Sequence, residues 1–562
     1  MWFRKYRRKK LHTEIHPDEI LIDASNVADF DRDQFEGRLE RPLGSRTFVV
    51  AGICLSALFA LLLMRVGTLQ IVQGKTFAER ARNNQLAQDI VFADRGVIAD
   101  RNGIPLAYNE RDAVTDDFAR RVYAAYQGLA HVVGYVKPPT KDSSGVYFRS
   151  VFEGVEGAEE VFNSVLMGEN GMKLTETNVR GKVVSESIVE PAKMGQKVVL
   201  SVDAVVTQGL YKAIAARVAE SKFQGGAGVI MDVHTGEIIA LTSYPEFPQN
   251  DLQKGDAAVF KSLMADSRQP FLDRAVDGLY APGSIVKPIV AAAALAEGVI
   301  SEHKQILSTG SISIPNAYDP KRPTVFRDWK AHGWVDMREA ISVSSDVYFY
   351  AVGGGYKDQL GLGIERLEKY YRLFGFGQDA GLAGFSAKTG NIPTIAWKAK
   401  TFPEDPNWRV GNTYHTAIGQ YGMLVTPLQA VRAAAALANN GTLLTPSIVA
   451  SSTPQGASIG LPAHALQVAR EGMRQSVTNG IAQAVKFDFV HVAAKTGTAQ
   501  IGVRNEYINS WMIGFFPYEN PRYAYAVVME RGPAGTLMGA PAATGQFFMW
   551  MREYAPEYLK GE

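Results

Sequence analysis

The sequence is almost without cysteine, because Cys54 is the only one in 562 residues. A single cysteine excludes an intrachain disulfide framework and a metal site built from cysteines. Charge imbalance is also missing, since 59 Lys and Arg stand against 57 Asp and Glu. A net charge of +2 argues neither for nor against nucleic acid. Internal repeats and low-complexity tracts are absent too, and the length allows two or more folded domains.

Long hydrophobic runs are limited to one segment. Thr47 to Met64 carries no charged residue and is bounded by Arg46 and Arg65. This length is near the lower limit for a helix that crosses a bilayer. A cleaved signal peptide is disfavoured because residues 1–46 precede the run and no small-residue cleavage site follows it. We predict an uncleaved anchor at 47–64, with a buried core helix as the alternative.

The basic residues around this segment bear on its orientation. Lys and Arg within about 20 residues of a membrane segment influence its orientation, and their numbers on the two sides are equal. They are Arg32, Arg38, Arg41 and Arg46 before it, and Arg65, Lys75, Arg80 and Arg82 after it. The cluster from Arg4 to Lys10 breaks the tie and favours a cytoplasmic arm at residues 1–46. The remainder of the chain is then predicted to lie outside.

The chain beyond the anchor divides into two regions of different character. Residues 65–220 alternate short strand-like runs with glycine-containing turns and lack residue types for chemistry, which indicates a pedestal or interaction domain. From Gly225 a hairpin pattern around "DVHTGE" is followed by Ala-rich helical stretches and then three strand-like runs. Residues 221–562 are therefore predicted to form an α+β domain, with an antiparallel sheet closed from both chain ends around a helical subdomain.

The stretch "YAPGSIVKPIVAAAA" is typical of a nucleophile at a helix start. Ser284 and Lys287 are spaced i and i+3, so the amine is expected to reach the serine hydroxyl. Pro288 fits only the first turn of a helix, which places the start at about Ser284. Backbone N–H groups and the helix dipole would then stabilise an oxyanion there. The second copy of Ser-x-x-Lys, Ser301 to Lys304, lacks the Pro-Gly turn.

Two further short motifs follow. Ser344, Ser345 and Asp346 form a Ser-x-Asp triplet, which by itself is equally typical of a helix cap. "AKTG" occurs twice, around Lys388 and around Lys495. The first copy lies in a glycine-rich stretch typical of a loop, whereas the second enters an apolar strand-like run. We therefore predict that the Lys495 copy belongs to the site.

Three such motifs in this order occur in penicillin-binding proteins. The chain resembles the class B penicillin-binding proteins, and the resemblance continues in "RGVIADRNGIPLAYN", "GVEGAEEVFNSVLMGENG", "AIGQYGMLVTPLQ" and "KTGTAQ". Ser-x-Asp followed by "VYFY" is more similar to the elongation type, penicillin-binding protein 2, than to the division type. The resemblance implies a single transmembrane helix, a pedestal of the dimerisation type and a transpeptidase domain like that of β-lactamases.

The resemblance also implies roles for the motif residues. Ser284 would attack the penultimate D-Ala of a stem peptide and Lys287 would act as its general base. Ser344, with Asp346, would relay a proton to the leaving D-Ala. The substrate carboxylate would bind at Lys495, Thr496, Gly497 and Thr498. Backbone N–H groups of Ser284 and Thr498 would form the oxyanion hole.

No cofactor is implied. Some relatives of the elongation type carry cysteine where this chain has Ser345, which leaves a metal near Asp328 and His332 as an open alternative to a structural histidine. The expected partners are D-Ala-D-Ala stem peptides, β-lactams, the membrane, a RodA-like glycosyltransferase and other elongation-complex proteins, and no nucleic acid.

The implied activity is peptidoglycan D,D-transpeptidation during elongation and cell-shape maintenance at the bacterial inner membrane, with the catalytic domain on the outer side. Slow deacylation is expected because no glutamate can be placed as a deacylating base. Four alternatives remain open from the sequence: a division-type transpeptidase, a D,D-carboxypeptidase, a β-lactam sensor and a non-catalytic activator of a glycosyltransferase.

Overall fold

The computed structural model describes residues 45–83, 86–111, 116–177, 183–316, 319 and 321–560. The basic cluster Arg4 to Lys10, together with Arg32, Arg38 and Arg41, lies outside the described residues. The chain divides into two compact units, the first comprising Met1–Ala87 with Glu176–Val184 and the second Gln88–Thr175 with Ser185–Glu562.

The first unit contains the apolar segment. Helix α1 (Ser45–Gly67) is followed by a π-helical turn, Thr68–Val72, and helix α2 (Gly74–Asn83). Phe48–Val72 is the one helical stretch of the described residues that is long and apolar enough to cross a membrane, and none of its apolar window is buried. Helix α1 is longer than the predicted span 47–64, since it begins at Ser45 and continues past Arg65 to Gly67. Its exposed apolar surface disfavours the alternative of a buried core helix.

The N-terminal part of the second unit is rich in short strands, as predicted. Its helices are α3 (Ala130–Val133), α4 (Gly157–Val161) and α5 (Asn163–Leu166). Between residues 86 and 199 the strands are β1 (Leu86–Val91), β2 (Ile98–Ala99), β3 (Pro105–Glu110), β4 (Arg120–Tyr123), β5 (Val136–Lys137), β6 (Thr140–Lys141), β7 (Tyr147–Arg149), β8 (Glu153–Gly154), β9 (Gly171–Thr177), β10 (Val183–Glu190) and β11 (Val198–Val199). The largest sheet here has the order β11-β2-β3-β4.

A buried ion cluster holds this part together. Glu159 on α4 accepts hydrogen bonds from Arg95 Nε at 2.6 Å and from Arg121 Nε at 2.7 Å. All three side chains are fully buried. Removing Glu159 would leave two buried guanidinium groups without their shared carboxylate, which is strongly destabilising. Arg95, the first arginine of the "RGVIADRNG" stretch, therefore has a structural role.

The C-terminal part of the second unit is the predicted α+β domain. Its helices are α6 (Ala204–Ser221), α7 (Gln249–Leu252), α8 (Ala257–Ala265), α9 (Lys287–Ala296), α10 (Met337–Val343), α11 (Asp346–Gly354), α12 (Ile364–Leu373), α13 (Ile395–Thr401), α14 (Val410–Ala417), α15 (Pro427–Ala438), α16 (Ala463–Thr478), α17 (Ala540–Tyr554) and α18 (Pro556–Lys560). Its strands are β12 (Gly225–Asp232), β13 (Ile238–Tyr244), β14 (Ile306–Ser308), β15 (Ser311–Ile314), β16 (Thr324–Arg327), β17 (Gly333–Val335), β18 (Thr442–Leu444), β19 (Gly456–Ser458), β20 (Ala493–Ile501), β21 (Tyr507–Phe516) and β22 (Tyr523–Pro533).

The main sheet is antiparallel and has the order β13-β12-β22-β21-β20. The hairpin β12–β13 comes from the start of the domain and the three remaining strands come from its end. Strands β12 and β22 pair with Val229 opposite Ala526, which joins the two chain ends in one sheet as predicted. Strand β20 is an edge strand, so one side of its backbone is open to a ligand.

The sheet has a hydrophobic core on each face. Val527 belongs to a core with residues of α6 and α17, among them Ile214 and Phe548. The next residue along β22, Val528, belongs to the other core, which includes the buried helices α9 and α15. Because successive residues of a strand face opposite sides, β22 lies between the two helical layers. Helix α6, which lies almost wholly within the range predicted as the pedestal and ends at Ser221, packs on this sheet.

Candidate active site

Ser284 lies in a tight turn at the start of α9. Gly283–Val286 forms a 3₁₀-helical turn closed by the Lys287 N–H, which donates to the Ser284 carbonyl, and the α-helix begins at Lys287. The prediction of an α-helix starting at about Ser284 is thus corrected to a 3₁₀ turn followed by an α-helix, with Pro288 in the first α-helical turn. Within this turn Ser284 alone is partly exposed, while its flanking residues are buried.

Two glycines bring this turn against the edge strand β20. Gly283 has a left-handed φ of 57°, and a Cβ there would lie 2.8 Å from the Thr498 carbonyl oxygen. A Cβ on Gly497 would lie 2.7 Å from the Pro282 carbonyl oxygen. Contacts this short exclude a side chain without a shift of the backbone. The glycine of the Lys-Thr-Gly triplet is therefore required by the approach of the turn that carries Ser284.

Lys287 is completely buried, and its ammonium has three oxygen partners. Its Nζ donates to the Ser344 carbonyl at 2.8 Å, to Ser344 Oγ at 3.2 Å and to Asp346 Oδ1 at 2.6 Å. None of the hydrogen bonds among the described residues joins Lys287 to Ser284, so the expected contact is not present. The physical reason is that a buried ammonium needs acceptors for its protons, and the second motif supplies them.

Ser344 owes its position to an unusual backbone conformation. It ends helix α10 with φ 59° and ψ 44°, in the left-handed region that non-glycine residues rarely adopt. Ser345 then caps helix α11, and its Oγ accepts from the Tyr348 N–H at 3.3 Å. The reversal between the two helices turns both the carbonyl and the hydroxyl of Ser344 toward Lys287. Such strain persists only where surrounding contacts hold it.

Lys495 approaches the same hydroxyl from β20. Its Nζ is buried and donates to Ser344 Oγ at 2.9 Å and to the Thr496 carbonyl at 2.8 Å. Burial holds the pKa of Lys495 well below its usual value, the charge of Lys287 lowers it further, and Asp346 opposes the shift in part. The Ser344 hydroxyl therefore joins two buried lysines that come from different elements.

The second copies of the motifs lie elsewhere. Lys388 is exposed in a loop, where its backbone N–H donates to the Val276 carbonyl at 3.1 Å. Ser301 and Lys304 are exposed in a turn. Of the two Lys-Thr-Gly lysines, Lys495 is the one that reaches Ser344, and it lies on the edge strand that the sequence predicted.

The Asp328 carboxylate holds the second motif in place through hydrogen bonds. Its Oδ2 accepts from Ser345 Oγ at 2.9 Å and from the Val347 N–H at 2.9 Å. His332 Nε2 lies 3.4 Å from Asp328 Oδ1, and burial lowers the pKa of this histidine against the opposing effect of Asp328. Within the described ranges, no group of three or more His, Cys, Asp and Glu side chains is placed to hold a metal ion.

Comparisons with known proteins identify the family of this chain. The family described as the penicillin binding protein transpeptidase domain matches residues 226–548, and the penicillin-binding protein dimerisation domain matches residues 113–200. The chain is 30% identical to the peptidoglycan D,D-transpeptidase MrdA of Haemophilus influenzae over 489 residues, covering 79% of this chain and 71% of the relative.

Two solved structures have the same fold. The complex between penicillin-binding protein PBP2 and MreC of Helicobacter pylori matches with a TM-score of 0.69 and 26% identity, covering 84% of this chain and 99% of that one. The second structure is of a peptidoglycan synthase complex and concerns the structural coordination of polymerization and crosslinking. It matches with a TM-score of 0.69 and 28% identity, covering 90% of this chain and 98% of that one. The chain belongs to the class B penicillin-binding proteins of the elongation type.

This penicillin-binding protein is accordingly a D,D-transpeptidase, and its apolar N-terminal helix anchors it in a membrane. Two residues beside its site were missed in the sequence. Trp511 Nε1 donates to the Ala281 carbonyl at 3.0 Å, and Trp511 pairs with Gly497 across β20 and β21. A large aromatic opposite a glycine on neighbouring strands is the signal that could have found it. His415 lies near Asp346, which opposes the lowering of the histidine pKa by burial.

Proposed function

We propose that Ser284 is the nucleophile of this penicillin-binding protein and that its substrate is the D-Ala-D-Ala end of a peptidoglycan stem peptide. The bond from Ser284 Oγ to the penultimate D-Ala carbonyl carbon forms, and the bond to the nitrogen of the terminal D-Ala breaks. An amine of a second stem peptide then takes the acyl group and releases Ser284, which leaves a cross-link. The observation that supports this most is the Ser344 hydroxyl shared by Lys287 and Lys495 beside the turn of Ser284.

Protons move through this group of side chains. Lys287 follows Ser284 by three residues, and we assign its unprotonated form in the closed, substrate-bound site as the general base that takes the serine proton. Catalytic hydrogen bonds are often completed only in the substrate complex, so the contact from Lys287 to Ser284 is assigned to that state. Ser344 carries a proton toward the nitrogen of the leaving D-Ala, and Asp346 holds Lys287 in place.

Strand β20 binds the substrate backbone and its carboxylate. Lys495, with Thr496, Gly497 and Thr498, forms the end of the site that receives the terminal carboxylate. The backbone N–H groups of Ser284 and Thr498 form the oxyanion hole, in which one donor contributes roughly 3 kcal/mol. Because the pKa of Lys495 is lowered in the free protein, a bound carboxylate raises it again and favours the protonated form. β-Lactams occupy the same positions and acylate Ser284.

We propose that this chemistry takes place at the cell wall, outside the membrane that holds the anchor. We assign residues 1–46 to the cytoplasm, residues 47–64 to the inner membrane, residues 65–220 to a pedestal and residues 221–562 to an external transpeptidase domain. A RodA-like glycosyltransferase that supplies glycan strands is the expected partner. The similar peptidoglycan synthase complex, which coordinates polymerization and crosslinking, supports a partner of this kind, and the similar complex with MreC supports a second protein partner.

A direct assay separates transfer to an amine from transfer to water. The full chain in detergent is given a pentapeptide ending in D-Ala-D-Ala together with a stem-peptide amine. We expect a cross-linked product and release of one D-Ala per transfer, both lost in Ser284→Ala. Release of D-Ala without cross-linked product at saturating amine would replace the transpeptidase proposal by a carboxypeptidase.

A further inference from the structure

Two large aromatic side chains lie exposed beside the second motif. Trp334 is 62% and Trp329 is 55% exposed, whereas the other tryptophans in the described ranges are buried or half-buried. Leu307 is exposed too, and it pairs with Trp334 across β14 and β17, so these two side chains share a face. We refer to Leu307, Trp329 and Trp334 as the tryptophan surface. Exposed apolar groups of this size beside a catalytic site indicate a binding surface.

Hydrogen bonds hold the tryptophan surface against the second motif. The Asp328 carboxylate accepts from Ser345 Oγ at 2.9 Å, from Ser308 Oγ at 3.3 Å and from the Trp329 N–H at 2.8 Å. The His332 N–H donates to the Ser308 carbonyl at 3.0 Å, and the rings of His332 and Trp329 lie 5.0 Å apart, edge to face. Because these contacts fix the loop before a ligand arrives, binding there costs little ordering.

The size of the tryptophan surface fits a slender ligand better than a folded partner. A fully covered aromatic side chain buries roughly 150 to 250 Å², so the exposed parts of the three side chains offer roughly 300 Å². A stable interface between two proteins takes about 800 Å² from each. The surface therefore suits a chain-like ligand that contacts the protein with one ring at a time.

The chemistry of the surface matches a sugar chain that carries acidic peptides. The faces of a sugar ring present C–H groups, which pack on the electron-rich face of an aromatic ring. Lys330 Nζ lies 4.9 Å from the centre of the Trp329 ring, and Arg327 is exposed two residues before Trp329. The side chain of the acid between them, Asp328, is fully buried. Peptidoglycan suits both the aromatic rings and the cations, because its glycan bears stem peptides that end in carboxylates.

The proposed function, on which this inference rests, indicates which strand comes to this side. The acceptor amine takes the place of the leaving nitrogen, and Ser344 exchanges a proton with both. The donor occupies β20, so the acceptor comes from the side of the second motif. Ser345 directly follows Ser344 and binds Asp328, which precedes Trp329. An acceptor whose amine reaches Ser344 therefore brings its glycan to the tryptophan surface.

We propose that the tryptophan surface binds the glycan of the acceptor strand. Sugar rings stack on Trp329 and Trp334, while Arg327 and Lys330 face carboxylates of the stem peptides that the glycan carries. The two tryptophans hold the acceptor strand and take no part in the making or breaking of bonds.

An octasaccharide of the peptidoglycan glycan, without stem peptides, tests binding of the sugar chain alone. Calorimetry with the full chain in detergent gives Kd for wild type and variants. We expect Trp329→Ala and Trp334→Ala each to weaken binding about tenfold, and Trp334→Phe, which keeps an aromatic face, to recover most of it. Tyr554→Ala is the matched control and should leave Kd unchanged. Tyr554 is 56% exposed on α17, a helix of the core on the other face of the main sheet.

Turnover shows whether the bound glycan belongs to the acceptor. A pentapeptide donor is paired with one acceptor stem peptide, either alone or linked to the octasaccharide, and rates are divided by the concentration of sites titrated with penicillin. We expect wild type to have the lower KM for the glycan-linked acceptor, and Trp334→Ala to lose about tenfold of this preference. Linking the octasaccharide to the donor instead should give no preference that depends on Trp334.

The two experiments separate this inference from the proposed function. Octasaccharide binding that depends on the tryptophans, without cross-linked product from any acceptor, would count against the proposed function and support the surface. Absence of octasaccharide binding by wild type, or equal binding by wild type and both alanine variants, would overturn the inference. A loss in Tyr554→Ala as large as in Trp334→Ala would overturn it as well, and so would a preference that depends on Trp334 only when the donor carries the glycan.

Discussion

The Nζ atoms of Lys287 and Lys495 bind one oxygen, the hydroxyl of Ser344, at 3.2 and 2.9 Å. The two lysines belong to a helix and to an edge strand that are far apart in the sequence. Burial lowers the pKa of Lys495, and the neighbouring charge of Lys287 lowers it further. The hydroxyl is therefore placed to exchange protons between the two sides of the site.

Replacing this hydroxyl should slow acylation far more than it lowers stability. Ser344→Ala removes the shared oxygen while Lys287 keeps Asp346 and Lys495 keeps the Thr496 carbonyl. We expect the second-order rate of acylation by penicillin to fall by at least about 100-fold, as for other positioned proton-transfer groups. Stopped-flow acylation measures this, with Ser342→Ala on the same helix as the control. A loss below about threefold would argue against a proton relay.

The ion pair between Lys287 and Asp346 should contribute to stability through compensation of a buried charge. Asp346→Asn leaves the fully buried Lys287 ammonium without its anion. We expect the free energy of unfolding to fall by about 3 kcal/mol, the lower end for a broken buried pair, because the Asp346 side chain is 19% exposed. Urea unfolding of the full chain in detergent measures this loss.

Removing both charges should restore most of that stability while acylation stays lost. The double substitution Lys287→Met with Asp346→Leu replaces the pair by apolar side chains of similar volume. If the double variant were as unstable as Asp346→Asn, packing rather than charge would explain the loss.

The lowered pKa of Lys495 predicts a pH dependence of stability. Between the folded and the unfolded pKa, the unfolded chain holds a proton that the folded chain lacks, so the free energy of unfolding rises with pH in this window. Below the folded pKa the cost of the buried charge is fully present. We expect Lys495→Met to remove this rise, seen as a difference from wild type in urea unfolding over a pH series that ends at the usual lysine pKa near 10.4. Parallel curves would contradict it.

The cap at Ser345 should act on the site through Ser344. Ser345→Ala removes a helix cap and a hydrogen bond to the buried Asp328, and we expect a loss of about 1 kcal/mol in the free energy of unfolding. Acylation should fall as well, because the left-handed turn at Ser344 loses a support. Thr394→Ala removes the cap of α13, whose hydroxyl accepts from Trp397, and should cost similar stability without slowing acylation. Equal acylation by the two variants would refute the link.

The sequence predicted the parts of the fold that depend on local pattern. Alternating apolar runs at both ends of the domain predicted the hairpin β12–β13 and the strands β20 to β22, and the order of strands, helices and strands predicted that they form one sheet. The choice between Lys388 and Lys495 followed from loop against strand composition, and the structure places these two lysines in a loop and on the edge strand.

The partners of Lys287 could not be predicted in the same way. The i and i+3 argument considers only the helix that carries the lysine, whereas its acceptors lie on the second motif, at Ser344 and Asp346. The left-handed turn at Ser344 leaves no mark in the sequence because no glycine stands there. Helix α6 was assigned to the pedestal, since its packing on the sheet depends on contacts distant in sequence.

The measurement that tests the central claim most directly is the site of covalent labelling by penicillin. Mass spectrometry of peptides from the labelled full chain should place one adduct on Ser284. The adduct should be absent in Ser284→Ala, strongly reduced in Lys495→Ala and unchanged in Lys388→Ala. An adduct on another residue, or one that persists in Ser284→Ala, would contradict the assignment of the nucleophile.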